Sequence, residues 1–470
     1  MSSIRSLDKK VPESPVTSKY SSSDIPPHDY GEIVNDITNL SQDQALEEKS
    51  RTGNLREETG GTTQSDGKVE QEDEFPDGGW RAWLVVFGGM CNTFSTFGYV
   101  NSWGIFQAYY QETLLKDFSP SNIAWIGSIQ YALIFLPGLI VGRLFDLGHF
   151  RSVFLSSSVI LILSTFLIAQ CTEYWHFLLC QGIATGIAAG GIFGSSNPII
   201  AHWFKKKRGR ALGYMAIGSS LGGTIIPIAA KNLLPRVGFP WTMRIIGFIL
   251  LVVVGTCNLT MKPRLPPVNI KGGLLNLAAF NDAAFTVYCI SSLTTFLGIY
   301  TVLTYVNVSA TQLGSSPDLA FYFVSFANAS SVFGRWAAGL LADKIGPLNV
   351  MIPFTFFAGI LTYAWPFTRS TSSLVVVTLI YGFCSGTFVS LLSNPIMNFG
   401  GEGDAGRRIG MFMTITALGA LAGPPISGAI NASTGGFEAV GLYAGSAVVV
   451  GVLCLLTVRY LVLGRWIGKS

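Results

Sequence analysis

Arg335 sits where a charge is hardest to keep. It ends the run Asn328-Ala-Ser-Ser-Val-Phe-Gly-Arg335, uncharged until that residue, inside one of the long apolar stretches of this 470-residue chain. A charged side chain at mid-bilayer costs about 2.5–3.5 kcal/mol on insertion scales, so such a residue needs a partner or a task. A guanidinium stays protonated, and its planar fork can hold a carboxylate at two points. Two readings are open: contact with an anionic solute, or an ion pair with Asp343 or Asp146 near the end of its helix. The other polar and aromatic groups within the apolar stretches include Asn101, Trp103, Gln107, Gln130, Tyr131, Asn197, Tyr305, Asn328 and Asn394. They offer hydrogen bonds without charge, and flat faces for conjugated ligands. With one arginine, they predict a site for a bulky weak acid or a conjugated molecule.

Other chemistries find little support. The ten acids beyond residue 79 all fall at predicted loops or helix ends, so no carboxylate pair is placed for acid–base work. The seven cysteines form no CxxC pair and lie mostly in apolar runs, where they read as small buried hydrophobes. No GxxxxGK[ST] loop occurs. The chain therefore reads as no enzyme, with no catalytic residues, no cofactor, no metal and no nucleic-acid partner.

The elements that must position Arg335 follow from composition. Charged residues make up 12% of the chain and mean hydropathy is +0.45, whereas soluble domains carry about 25% charge. The deficit is uneven, because residues 1–79 hold 8 Lys/Arg against 17 Asp/Glu. That segment has no sustained apolar period and predicts a disordered acidic tail. Beyond it, apolar stretches near 83–108, 121–142, 152–171, 176–200, 211–230 and 245–261 are long enough to cross a bilayer. Six more follow near 283–307, 319–341, 349–367, 373–399, 409–430 and 439–458. The expectation is an all-α polytopic membrane protein: a tail over 1–79, a six-helix bundle over 80–261, a connector over 262–282 and a second bundle over 283–470. Loop charge orients it. With the N-terminus cytoplasmic, 17 Lys/Arg fall on the inner side and 5 on the outer, Arg335 apart, as positive-inside ordering requires.

The two bundles repeat. One offset of 197 residues takes Pro120 to Pro317, Asp146 to Asp343, Asn197-Pro198 to Asn394-Pro395, and Arg210, Gly213 and Pro227 to Arg407, Gly410 and Pro424. Two copies of a six-helix unit share one orientation, one of the known plans of secondary transporters. The repeated Gly142-Arg-Leu-Phe-Asp and Gly339-Leu-Leu-Ala-Asp segments close their helices at the cytoplasmic end. Their glycines allow close helix approach, and Arg143, Asp146, Asp343 and Lys344 are the expected gating residues. Pro198 and Pro395 each free a carbonyl in mid-helix and are the expected hinges.

At these residues the chain resembles a known family. Gly142–Gly148 and Gly339–Gly346 resemble the loop signature of the major facilitator superfamily. Asp77-Gly78-Gly79-Trp80, before the first span, is similar to the lead-in motif of its monocarboxylate-transporter family. Trp203-Phe204-Lys-Lys206-Lys-Arg-Gly-Arg-Ala-Leu-Gly213 resembles that family's second motif, and the acidic tail resembles the fungal branch. The resemblance implies twelve helices around a central cavity, rocking between two states, with Arg335 on the substrate carboxylate. It departs from the proton-coupled members at two places: Ser331 stands where they carry an aspartate, and residues 83–108 hold no acid or base. Simple proton–lactate transport loses support thereby.

The reading is a secondary active transporter of a small organic solute, monocarboxylate-like or a bulkier weak acid, with Arg335, Asn101, Tyr131, Asn328 and Ser331 as substrate residues. Export of a secondary metabolite is the alternative, and a transporter-like nutrient sensor a further one. Its partners are the solute and the lipid bilayer, with a coupled proton left open. The plasma membrane is the expected site, with both termini cytoplasmic and an internal membrane such as the vacuole as the alternative.

Overall fold

The computed structural model describes residues 76–266, 273–399, 404–465 and 468–469. The acidic tail, apart from its last four residues, and part of the connector lie outside them. The described chain forms twelve helical traverses. α1 runs from Trp80–Thr93 through a π-helical turn, Phe94–Gly98, into Trp103–Tyr109 and Tyr110–Leu114. α2 joins Pro120–Phe135 to Gly138–Asp146, α3 is Phe150–Ile168, and α4 is Tyr174–Trp203. A 53-residue helical run, Arg208–Thr260, follows. At 1.5 Å per residue it would be about 80 Å long, more than twice a hydrocarbon core. It turns back at Gly238, whose φ of 72° and ψ of 171° no helix allows, giving α5 over 208–237 and α6 over 239–260.

The second half repeats the order. α7 comprises Ala283–Gly298 and Thr301–Gln312, and α8 is Pro317–Ile345. α9 is Pro347–Ala364 with a short 3-10 turn, Trp365–Phe367, and α10 joins Thr371–Leu391 to the 3-10 turn Pro395–Asn398. α11 is Ala405–Thr434 and α12 is Glu438–Leu463. Ser119, Asp282, Ser316 and Ser370 cap their helices through side-chain oxygens, which starts each one at a definite residue.

All twelve expected spans are present, but most run past their expected limits. Charged residues mark where the hydrocarbon ends, whereas the helices continue to their capping residues; α8, for example, extends to Ile345 rather than 341. The ends where α1 begins and α12 finishes share one side of the bundle, called here the terminal end. There Asp77 meets the α4–α5 loop, and Lys469 donates from Nζ to the Asp343 carbonyl at 2.7 Å. The two prolines expected as hinges are not equivalent. Pro198 is buried within the unbroken helix Thr185–Trp203, while Pro395 follows a real break at 392–394.

Candidate functional site

Two contacts close the terminal end, and each crosses between the halves. Asp146, the last residue of α2, accepts the amides of Gly406 at 3.0 Å and Arg407 at 2.8 Å, which open α11. Asp343, at the end of α8, accepts the amides of Gly209 at 2.8 Å and Arg210 at 3.2 Å, which open α5. Arg210 adds its Nε, 3.8 Å from the same carboxylate. A helix N-terminus offers unpaired amides and a partial positive charge, so a carboxylate fits it well. The backbones are correspondingly close. A Cβ added at Gly142 would lie 2.1 Å from the Gly406 carbonyl oxygen, and one at Gly213 would lie 2.7 Å from that of Arg335.

Of the four expected gating residues, the two aspartates make the crossing bonds. Lys344 is exposed, Arg143 stands one turn back on Asp146's own helix, and the crossing cation is Arg210. Arg407 turns instead to Asp404, which also holds Arg408 and the amide of Asn276 in the connector.

Eight residues before Asp343, about 12 Å of helix, α8 presents Arg335 to a cavity between the halves. α1, α2, α4, α5, α7, α8, α10 and α11 all contribute to its wall. Asn101, Asn328, Ser331 and Arg335 line it, as does Asn197, so four of the five expected substrate residues meet there. Tyr131 does not. It packs edge-on against Tyr300, 5.1 Å between centroids, and Tyr300 takes the lining place. Trp103 and Gln107 are bonded to each other at 2.7 Å, and Tyr305 donates to the Pro424 carbonyl at 3.0 Å.

The ion pair that Arg335 was weighed against is absent from the described contacts. Its Nη1 donates to the Ala216 carbonyl of α5 at 3.0 Å, and its buried Nε has no partner among the described residues. Ser331 shares a proton with Ser220 at 2.6 Å, and Asn328 donates to the Gly223 carbonyl at 3.3 Å. The three rungs fall at 328, 331 and 335 on α8 and at 223, 220 and 216 on α5, the helical spacing that keeps one face toward one partner. Among the described residues Arg335 is the only charged one in the lining. The rest is apolar or hydroxyl-bearing: Phe97, Phe135 and Phe193 on one side, and Ser385, Ser390 and Ser393 on another. The sequence reading passed over those serines. Their signal was Gly386, Ser390 and Ser393 at spacings of four and three, a small polar stripe.

The two motif segments at the terminal end touch. Asp77 accepts the amides of Lys205 at 2.8 Å and Lys207 at 3.0 Å, and its own amide donates to the Trp203 carbonyl at 3.2 Å. Trp83, on the helix that Asp77, Gly78, Gly79 and Trp80 lead into, packs 5.2 Å from Phe204. Lys206 is exposed. Among the described residues no group of three or more His, Cys, Asp and Glu side chains could hold a metal ion.

A model of the Major Facilitator Superfamily matches residues 85–403. MFS-type transporter 1 of Ophiocordyceps sp. (strain BCC 1869) is 38% identical, covering 82% of this chain and 87% of that protein. The aspyridones efflux protein of Emericella nidulans is 37% identical over 82% of this chain and 79% of its own length. The fujikurins efflux protein of Gibberella fujikuroi is 35% identical, with 85% and 88% covered. Among solved structures, the human organic anion transporter MFSD10 aligns at a TM-score of 0.63 and 16% identity, covering 80% of this chain and 98% of that one. The fucose:proton symporter of E. coli gives 0.63 and 16%, with 81% and 99% covered. At that identity the two structures speak for the fold.

Proposed function

This chain belongs to the Major Facilitator Superfamily and is an integral membrane transporter, and on that premise we propose that it exports a small organic weak acid, a secondary metabolite, by alternating access. The observation that carries the reading is the cavity itself. It lies between two halves that are bonded to each other at one end, and it offers one cation among apolar and hydroxyl groups. Rocking the halves would break both helix caps together and turn the cavity toward the terminal end. Closing them would return it to the other side.

Two relatives at 35% and 37% identity bear efflux in their names, which favours export over uptake. The resemblance to monocarboxylate transporters rests on the lead-in motif and Arg335, and the family model that matches is that of the whole superfamily. Ser331 bonds Ser220 and no carboxylate lines the cavity among the described residues, which favours the bulkier weak acid over a simple proton-coupled monocarboxylate. Loop charge supports a cytoplasmic terminal end, and with it a plasma-membrane carrier whose two termini face the cytoplasm. The gate would then be shut on the cytoplasmic side. Untargeted metabolite profiling of cells and medium, with and without the gene, tests the proposal. A compound that accumulates in cells and falls in the medium on deletion supports it. Unchanged profiles in both compartments would overturn it.

A further inference from the structure

Among the described residues no acid lines the cavity beside Arg335, so no carboxylate there can carry a proton with the solute. Resting on the export reading, we propose that the exporter is electrogenic: it carries one organic monoanion outward per cycle and is driven by the membrane potential, with Arg335 as the mobile charge. Among the described residues Arg335 is the only charged one of the lining, and its neighbours there are Asn101, Asn328, Ser331 and Ser385. The acids of its own helix lie at the two ends. Asp318 is bonded to Lys231 at 2.8 Å, and Asp343 caps α5. The helices packed against α8, which are α5, α7, α9 and α10, carry no Asp or Glu, and the acids nearest the gate, Asp146 and Asp404, cap or precede α11. Tyr300 shares the wall with Arg335, and a phenol carries no charge at physiological pH.

Charge accounting follows from these positions. A guanidinium cannot release its proton at physiological pH, so Arg335 is cationic in both orientations of the cavity. Loaded with a monoanion, the cavity is neutral as it crosses the field. Empty, it returns with one positive charge. With the cytoplasm negative, that return runs inward down the potential, and the net result is one negative charge moved out. A unit charge across 100 mV corresponds to about a fifty-fold outward concentration ratio, obtained without any coupled ion. A bare guanidinium also crosses the occluded state less readily than a neutralised pair. The empty return is then the slow, voltage-sensitive step, and exchange of anion for anion is the fast, voltage-insensitive one.

The test needs no substrate. The full-length protein in a planar or solid-supported membrane receives voltage steps in salt containing only bulky, impermeant sulfonate anions. The expected result is a saturable transient charge movement that disappears in Arg335→Gln and persists in Arg335→Lys, with equal protein in the membrane. No transient in the natural protein, or one unchanged in Arg335→Gln, would overturn the proposal. A second arm loads proteoliposomes with pyrenebutyrate and sets the potential with valinomycin and potassium. Net efflux that quickens severalfold with the lumen negative, beside exchange that does not respond, supports electrogenic export. Efflux that follows a pH gradient and ignores the potential counts against it. Metabolite profiles unchanged by deletion, together with an intact Arg335-dependent transient, would overturn the export direction while keeping Arg335 as the mobile charge.

Discussion

Asp146 accepts the amide of Arg407 at 2.8 Å and Asp343 accepts that of Arg210 at 3.2 Å, so each half of the molecule caps a helix of the other. The same 197-residue offset relates the two acceptors and the two donors. The duplication has thus built two matching latches at the terminal end.

Removing the charge from one latch tests this. Asp343→Asn keeps an acceptor near Gly209 but loses the charge that favours the α5 N-terminus, a change of about 1–2 kcal/mol. The state open at the terminal end should become about tenfold more populated. A cysteine placed at that end should react correspondingly faster with a membrane-impermeant maleimide, and an unaltered rate would remove the latch.

Shape tests the same closure without charge. Gly142→Ala places a methyl 2.1 Å from the Gly406 carbonyl oxygen, and backbone lies on both sides of the contact. The halves should then fail to close at this end. Export should fall at least about tenfold while the protein reaches the membrane in normal amount.

Arg335→Ala removes the cation of the cavity and the Ala216 rung together. Transport of an anionic solute should be abolished at normal surface expression. Unchanged export kinetics would separate Arg335 from the substrate.

Lys231 and Asp318 join α5 to α8 at the far end, but the Asp318 side chain is 88% exposed. Solvent screens such a pair, so Asp318→Asn should alter transport less than about threefold. A larger loss would make this pair a second gate.

Asp77→Ala should weaken the α4–α5 loop, because the carboxylate holds the amides of both Lys205 and Lys207. The expected loss is about 1 kcal/mol of stability, read as a lower thermal midpoint in detergent, with Asp77→Asn less affected.

The sequence by itself determined the helix count, the duplication and the poverty of charge. Hydrophobic length and the 197-residue offset are written along the chain, and an apolar solvent leaves the backbone no choice but helix. It also marked Arg335, since an unexplained cation in an apolar run stands out in one dimension. Which partner each residue takes was decided only by the packed halves. Tyr131 and Tyr300 both sit on cavity-side helices, and only packing places Tyr300 at the wall with Tyr131 behind it. Asp146 has Arg143 one turn away, yet its bonds go to amides 260 and 261 residues further on. Ser385, Ser390 and Ser393 became part of the site because α10 turns that stripe inward. Hydropathy reports how far a residue is from water. The contact between two helices depends on their rotation and approach, which small residues permit and the sequence pattern alone does not encode.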